Sequence, residues 1–515
     1  MDTNVVLLWL VLFFAFSAAI RFSRFALTRV DAGLYGAVGL ISIGLWFTAP
    51  NVAGYVSALL IALLSLPSWW LFRIRRLVLG QQYAAAARLA EQARWLRPTP
   101  LMWHYPTMLW ALDAGSRGDR ETAMAMLERY QTSKAPIARV ATAQGFRMQG
   151  DWESLLTWLA EESVELALYP DILPLALRAW GETGQVEQLA TAYQRYYRTL
   201  AANPANLQLG RLFLLAFTGK TEAVRKILAM HLTQWPDGVK DFWVATAELA
   251  AGHEEEGRRM LESIRSDDQM LRAAIQRRLA QPLSPTVGAI SSVTWHFIES
   301  LEHTMSDEVR YGPLGARAMG RPNITYALIA ANIAVFIAET VHGGSENTDT
   351  LYQLGGLWPP AVLQGEWWRV GTALFLHAGP MHIAMNMYGL YLLGPFVEAA
   401  LGRVRYAVGY FGSGIASMLF IVIAAKLGWM QDELVIGASG AIMGIVGMTG
   451  AIMLLARRSK VAAQRLKSVV IIIVIQAIFD QTVPNISAVG HMSGAAAGFL
   501  LGLLLAWTKP AKSNE

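Results

Sequence analysis

The sequence contains no cysteine, and only 16% of its 515 residues are charged. The absence of cysteine excludes disulfides, thiolate metal sites, iron–sulfur clusters and cysteine nucleophiles. Soluble globular proteins average about 25% charged residues, so this low content, with 54% apolar residues and a mean hydropathy of +0.34, indicates an integral membrane protein. The net charge of +5 is small and the basic residues lie in short clusters, which argues against a nucleic-acid partner.

Long apolar segments predict where the chain crosses the bilayer, whose core of ~30 Å takes ~20 apolar residues per helix. A cleaved signal peptide is the alternative for the first segment, but Asp2 and no basic residue precede it. The sequence therefore predicts an all-α, polytopic membrane protein. Six segments lie in the last third of the chain, at 323–341, 378–399, 404–425, 437–456, 468–483 and 488–508, and three near the N-terminus, at about 4–20, 33–49 and 54–72, of which the last two could be a tight hairpin.

A repeating pattern fills the less apolar region between these segments. A period near 34 with a glycine turn between two helices is typical of tetratricopeptide-type repeats, and an unrelated helical array is the alternative. Either one predicts an α-solenoid whose concave face binds a protein or peptide partner. The glycines, each followed by a polar residue and spaced 32 to 38 residues apart, are Gly80, Gly118, Gly150, Gly184, Gly219 and Gly252.

The distribution of basic residues predicts the orientation, because Lys and Arg are enriched in cytoplasmic loops. One side has only Arg369 and Lys426. We therefore expect the repeats and the C-terminus in the cytoplasm, the loops 342–377, 426–436 and 484–487 outside, and a multi-pass protein of a bacterial inner (plasma) membrane. The other side collects 17 basic residues: Arg21, Arg24, Arg29, Arg73, Arg75, Arg76, Arg317, Arg321, Arg403, Arg405, Arg457, Arg458, Lys460, Arg465, Lys467, Lys509 and Lys512.

These patterns divide the chain into five predicted regions. The linker contains one amphipathic piece around residues 286–301, within a stretch rich in Ser, Pro and Gly. The regions are N-terminal transmembrane helices at 1–76, cytoplasmic helical repeats at 77–281, the linker at 282–322, a six-helix membrane domain at 323–508 and a cytoplasmic tail at 509–515.

Few polar side chains lie inside the predicted membrane segments, and each is a functional candidate because burial in hydrocarbon is costly. His382 and Asn386 are four residues apart on one helix face, Ser439 lies in GASG, and His491 lies in VGHMSG. All three helices run from outside to inside, and the four residues lie within about two turns of the outer end. We therefore expect them to converge at one depth.

Glycines at four-residue spacing accompany these polar residues. Small residues at this spacing let helix backbones approach closely in lipid, as a short serine side chain needs in order to reach a histidine on another helix. The alternative is that they only pack helices, as in many transporters. The last helix has Gly490, Gly494, Gly498 and Gly502, and the Ser439 helix has Gly440 and Gly444.

Ser439 and His491 together predict nucleophilic hydrolysis, because neutral histidine is suited to remove a serine proton near pH 7. No acidic residue lies close in sequence to His491, so a dyad is expected. His382, Asn386 and the Ser439 backbone N–H would stabilise the oxyanion. No metal is expected, since no carboxylate or thiolate accompanies the histidines.

The last 190 residues resemble the rhomboid family of intramembrane serine proteases. The matching motifs are WWR at 367–369, HAGPMHIAMN at 377–386, Glu398 ahead of Gly402 and Arg403, GASG at 437–440 and GHMSGAAAG at 490–498.

The resemblance implies a six-helix rhomboid core that cleaves transmembrane or juxtamembrane segments of membrane proteins without a cofactor. It assigns Ser439 as nucleophile, His491 as base and then acid, and His382, Asn386 and the Ser439 amide to the oxyanion. Met443 departs from the family pattern, because many relatives carry there an aromatic residue that packs on the catalytic histidine. The N-terminal helices and the repeats lie outside the resemblance.

Other functions are less consistent with the sequence. The main alternative is a catalytically inactive rhomboid-like protein that binds membrane clients and uses the repeats as an adaptor, but such relatives typically lack the serine or the histidine. A transporter would need ionisable groups along the whole membrane depth. The HExxH motif of zinc proteases is absent, since His253 is followed by EEEG, and so is GxGD of aspartyl ones. The expected partners are transmembrane substrates, a partner of the repeats and membrane lipid.

Overall fold

The structure is a computed structural model that describes residues 3–131, 135–281, 283, 290–312, 321–482 and 487–507. Its regular elements are α-helices and two short 3₁₀ helices. The described residues contain no β-strand, only one isolated antiparallel bridge between Leu357 and Val435. The predicted all-α class is thereby confirmed. Residues 1–299 and 300–515 form two compact units, each described by itself below.

The first unit begins with four apolar helices. Asn4 joins the first helix to the turn before the third and to the third helix itself, because its side chain donates to the Pro50 carbonyl at 2.6 Å and accepts from the Gly54 N–H at 2.7 Å. Ala26–Thr48 and Ala53–Leu79 are long and apolar enough to cross a membrane. That these segments do cross it stays a prediction. The helices are α1 (Thr3–Ser23), α2 (Arg29–Thr48), α3 (Ala53–Ser65) and α4 (Pro67–Leu79).

Thirteen helices follow, and neighbours along the chain pack against each other. Such an arrangement buries an apolar stripe of each helix between its neighbours. The helices are α5 (Tyr83–Leu96), α6 (Pro100–Ser116), α7 (Arg120–Gln131), α8 (Pro136–Gln149), α9 (Trp152–Glu161), α10 (Leu173–Glu182), α11 (Val186–Arg195), α12 (Tyr197–Ala201), α13 (Pro204–Phe217), α14 (Thr221–Met230), α15 (Asp237–Ala250), α16 (Glu254–Ser263) and α17 (Gln269–Ala280).

The predicted glycine turns lie between these helices, with one correction. At the first turn Gln81, with φ +58°, takes the left-handed conformation, and Gly80 does not. A left-handed backbone at a helix end favours glycine, which has no Cβ. The helical periodicity is therefore visible in the backbone, while membership of the tetratricopeptide class stays a prediction. The turn residues with φ between +67° and +90° are Gly118, Gly150, Gly184, Gly219 and Gly252.

A buried ion cluster joins two of these helices. Glu182 at the end of α10 accepts from Arg178 at 3.0 Å and from Arg278 of α17 at 2.6 Å. Burial opposes ionisation of Glu182, but the charges of Arg278 and Arg178 hold its pKa below the usual range. The cluster therefore keeps its charges paired inside the array.

The predicted linker contains a longer helix than its amphipathic piece suggested, α18 (Ser292–Tyr311). Glu187 of α11 caps its start, because the carboxylate accepts from the Ser291 N–H and from the Thr294 hydroxyl. The hydrogen bonds from Thr294 and Ser291 lower the pKa of Glu187. The ring of Phe297 lies 6.1 Å from that of Tyr193. The first turns of α18 therefore pack on the repeats. Residues 284–289 and 313–320 of the linker lie outside the described residues.

The second unit contains six long helices that match the predicted membrane segments. Four of them, α19, α24, α26 and α27, meet the length and composition of a membrane span, and α25 is a shorter apolar helix. These apolar helices indicate a multi-pass membrane protein. The helices are α19 (Asn323–Val341), three short ones in the following loop, α20 (Thr348–Gln353), α21 (Pro359–Leu363) and α22 (Arg369–Thr372), then α23 (Gly379–Leu401), α24 (Arg403–Lys426), α25 (Ser439–Leu455), α26 (Lys460–Thr482) and α27 (Ala488–Trp507).

Helices α25 and α27 meet backbone to backbone through the glycines that the sequence singled out. A Cβ on Gly494 would lie 2.2 Å from the Gly440 carbonyl oxygen, and one on Gly498 would lie 2.1 Å from that of Gly444. No side chain fits at such distances. The predicted close approach of the serine and histidine helices is therefore present.

Candidate active site

Ser439 is the first residue of α25, where backbone N–H groups have no acceptor within the helix. The segment before it is fixed to the long loop that follows α19. Leu357 and Val435 exchange backbone hydrogen bonds of 2.9 Å, and the Gly437 N–H donates to the Ala373 carbonyl at 2.8 Å. These contacts with the loop therefore fix the position of Ser439 at the start of α25.

His382 lies beside this serine. Its Nδ1 accepts from the Ala378 N–H at 3.2 Å, so the neutral ring carries its proton on Nε2. A Cβ on Gly437 would lie 3.0 Å from that Nε2 and 3.8 Å from the Ser439 Oγ. Both side chains therefore border the same glycine, whose φ of +120° a residue with a Cβ rarely adopts. A donor N–H and a nucleophilic hydroxyl face one space.

Asn386 lies one turn further along α23. Its Nδ2 donates to the His382 carbonyl at 3.0 Å, and its side chain is buried with 7% exposure. A primary amide has two N–H groups, so this bond leaves one for another acceptor. The predicted pairing of these two residues on one helix face is present.

Asp480 is a buried acidic residue beside His491 to which the sequence analysis assigned no role. Its two carboxylate oxygens lie 2.9 and 3.0 Å from Nδ1 of His491. Gln476 donates to the same carboxylate at 2.7 Å. The expected Ser439–His491 dyad stays a prediction, and the structure adds an acidic side chain in contact with His491, eleven residues before it on the neighbouring helix α26. The signal was available, since Asp480 is the one acidic residue in the apolar segment 468–483.

Ser439 and His491 are brought together through their neighbours in sequence. Ser417 of α24 donates its hydroxyl to the Gly490 carbonyl at 2.7 Å, and a Cβ on Gly440 would lie 2.5 Å from that hydroxyl oxygen. Three helices thus meet beside the two side chains. Within the described residues, no direct hydrogen bond joins Ser439 to His491; such catalytic bonds often tighten only when substrate is bound.

His377 lies behind His382, with their rings 5.2 Å apart. Its backbone N–H donates to the Glu339 carboxylate at 3.2 Å, and its Nδ1 donates to the Phe375 carbonyl at 3.0 Å. Burial, with a smaller contribution from His382, lowers the pKa of His377 to about 4, so the ring is neutral at physiological pH. The histidine supports the ring that borders Ser439.

The residues that could bind a metal are dispersed. Asp480 does accompany His491, so the sequence-based ground that no carboxylate lies near the histidines does not hold. The described residues nevertheless contain no group of three or more His, Asp or Glu side chains that could hold a metal ion.

Met443, at the position where relatives often carry an aromatic residue, is buried in an aliphatic cluster. It packs with Val446, Val469 and Ala495, and Met492 lies against the same cluster. The methionine therefore fills space between α25, α26 and α27.

Fold and site together define a multi-pass, all-helical membrane protein with polar groups at the starts of three closely packed helices. The chain belongs to the rhomboid family. Residues 364–508 match the model of the Rhomboid domain. A protein named "Putative rhomboid protease YdcA", from Bacillus subtilis (strain 168), is 31% identical over 186 residues, which are 36% of this chain and 88% of that protein.

Two further relatives carry similar names. "Rhomboid protease GluP" of Bacillus subtilis (strain 168) is 34% identical over 196 residues, 37% of this chain and 36% of that protein. "Rhomboid protease AarA" of Providencia stuartii is 31% identical over 140 residues, 25% of this chain and 50% of that protein. The chain thus spans about a third of GluP's length. No solved structure matches the chain.

Proposed function

We propose that the chain is an intramembrane serine endopeptidase that cleaves transmembrane or juxtamembrane segments of membrane proteins. The observation that carries the proposal is the glycine contact of α25 with α27, which puts the starts of the Ser439 and His491 helices side by side. The protease names of the relatives support the same reaction class.

In the first step His491 Nε2 takes the proton of the Ser439 hydroxyl while Oγ attacks the peptide carbonyl carbon. The carbonyl oxygen becomes an oxyanion, which accepts hydrogen bonds from His382 Nε2–H, an Asn386 N–H and the Ser439 backbone N–H. The imidazolium then gives its proton to the departing amine, leaving an acyl group on Ser439.

Water completes the reaction. His491 accepts a proton from the water molecule as its oxygen attacks the acyl carbon, a second oxyanion forms at the same donors, and the proton returns to Ser439 Oγ as the carboxylic acid departs. Every group that takes part in these reaction steps belongs to the chain, the substrate or water.

The substrate is a membrane helix that opens locally. A helix satisfies its own backbone hydrogen bonds in lipid, so its scissile carbonyl is accessible only after unwinding. Helix-breaking residues near the cut should therefore matter more than a strict sequence.

The basic residues support an orientation with the repeats and the C-terminus in the cytoplasm of a bacterium and the site near the outer face of its inner membrane. The repeats then act as an adaptor for a protein or peptide.

The test is cleavage of a single-span reporter by the purified protein in detergent, beside a Ser439→Ala control. We expect cleavage by the wild type and labelling of Ser439 by a fluorophosphonate, and neither with the control. A folded wild-type protein that binds the reporter but neither cuts nor labels would support the inactive client-binding alternative.

A further inference from the structure

We infer that Asp480 is a positioning residue that orients His491 and compensates the charge it acquires, so that this rhomboid uses a Ser–His–Asp arrangement. The inference rests on the proposed function, because it assigns a task within the same reaction. It concerns α26, from which the sequence analysis assigned no residue to the site.

The geometry defines the proton positions on the imidazole. Both oxygens of Asp480 lie within 3.0 Å of Nδ1, closer than the Gln476 Nε2 at 3.3 Å, and a carboxylate only accepts hydrogen bonds, so Nδ1 carries the proton. In the neutral ring Nε2 then has a free lone pair. That nitrogen is the one that must take the Ser439 proton. The carboxylate thus selects the productive tautomer of His491.

The burial of Asp480 points to charge compensation during the reaction. Its side chain has 0% exposure, and in the described part of the chain no Lys or Arg forms an ion pair with it. A buried carboxylate without a cation is costly. The cation arrives when His491 is protonated, in the step where Ser439 attacks. The interaction is therefore stronger in the transition state than in the resting protein, which is the condition for a gain in rate.

No other charged group near His491 can take this role. His382 of α23 is the second titratable side chain close to it. Helix α25 has no titratable residue, α27 has only His491, and α24 carries its charged residues at its two ends. Asp480 is thus the one acidic side chain facing the imidazole among the described residues.

The position of Met443 gives an independent reason for such a partner. An aromatic residue there would pack on the histidine ring, whereas Met443 lies among aliphatic side chains. A hydrogen-bonded carboxylate restrains the ring in both position and rotation. In this chain the His491 ring is therefore held by its hydrogen bond to Asp480, and not by packing against an aromatic side chain.

The test compares Asp480→Asn with the wild type in full-length protein, on a single-span reporter. Asn keeps the shape and removes the charge. We expect kcat to fall by roughly 10² to 10⁴-fold with KM changed less than about threefold.

Two control variants separate positioning from structure. Glu398→Gln makes the same chemical change at a buried carboxylate far from the site and should leave kcat per folded molecule in place. Gln481→Ala changes the exposed neighbour on α26 and should leave the rate in place. If Asp480→Asn does not fold, Asp480→Ala, which removes the buried polar group as well as the charge, takes its place with the same readouts.

The outcomes are distinct. A folded Asp480 variant with the wild-type kcat overturns the inference, and so does a slower one whose loss follows its fraction unfolded. Absence of cleavage by the wild type, equal to Ser439→Ala, would instead overturn the proposed function. A kcat per folded molecule that falls while KM changes little supports both.

Discussion

Glu398 holds the start of α19 through Thr325. Its Oε2 accepts from the Thr325 backbone N–H at 2.8 Å and from the Thr325 hydroxyl at 2.7 Å, while Oε1 accepts from the Ile324 N–H at 2.9 Å. A carboxylate at a helix N-terminus is favoured by both the free amides and the helix dipole. The contact joins α23 to α19 at the end opposite the site.

Glu398→Gln should lower the free energy of unfolding by roughly 1–3 kcal/mol, because a charged acceptor of three hydrogen bonds becomes neutral. The rate per folded molecule should hold, since Glu398 lies 16 residues, about 24 Å along a helix, from His382. Thermal unfolding in detergent checks the first point and reporter cleavage the second. The exposed Glu433→Gln is the matched control and should change neither.

Ser439→Ala and His491→Ala should each abolish cleavage while the protein stays folded, because each removes a chemical step and leaves a smaller apolar side chain. The double variant should lose little more than either single one, since the two residues act as a unit. Clear turnover by the folded Ser439→Ala protein would rule out the assignment.

Asn386→Ala should lower kcat more than it raises KM, because its free N–H meets charge that develops only in the transition state. Loss of one such donor costs on the order of 3 kcal/mol. The result is read from reporter kinetics beside thermal unfolding. Lower thermal stability with an unchanged rate per folded molecule would make Asn386 a packing residue.

Gly494→Ala should reduce both stability and rate, because its Cβ would lie 2.2 Å from the Gly440 oxygen and must push α27 away from α25. The matched control is Gly371→Ala, whose Cβ would meet nothing within 4 Å. Unfolding and cleavage are measured for both variants. Equal stability and equal rate of the two variants would mean that α25 and α27 can move apart without loss of function.

A protein that begins at Ser300 should insert and cut the reporter at a rate within about threefold of full length, because repeat arrays fold on their own contacts. A protein that begins at Arg317 should be less stable. It lacks Tyr311, which packs on the core and whose carbonyl accepts from Arg465. A folded but inert Ser300 protein would mean that the repeats gate the site.

The bounds of most helices in the membrane unit could be predicted to within about two residues, because the bilayer thickness sets the length of each apolar segment. The largest difference is at α26, which begins at Lys460 and not near residue 468. Helical backbone continues past the hydrocarbon wherever charged side chains can reach water. An apolar segment therefore marks the membrane-buried part of a helix and underestimates its length.

Asp480 could not be paired with His491 from the sequence, because its contact depends on how α26 and α27 face each other. In a helix bundle, the side chains that contact each other come from different helices. Closeness to His491 in sequence is therefore a poor guide to its acidic partner. The rule that flagged Ser439 and Asn386 as polar residues in hydrocarbon applies to Asp480 as well. At the first repeat turn, the glycine spacing correctly predicted a turn at Gly80, but the residue with positive φ there is Gln81.

The start of α18 already occupies Glu187 and packs on Tyr193, so a ligand that used these two residues would compete with the chain itself. Only 11 residues separate the end of α17 at Ala280 from the start of α18 at Ser292. A segment on so short a tether faces its site at an effective concentration in the millimolar range. A separate helix that made the same contacts would displace α18 from half of the molecules only at a millimolar concentration. A helix that made additional contacts would need less.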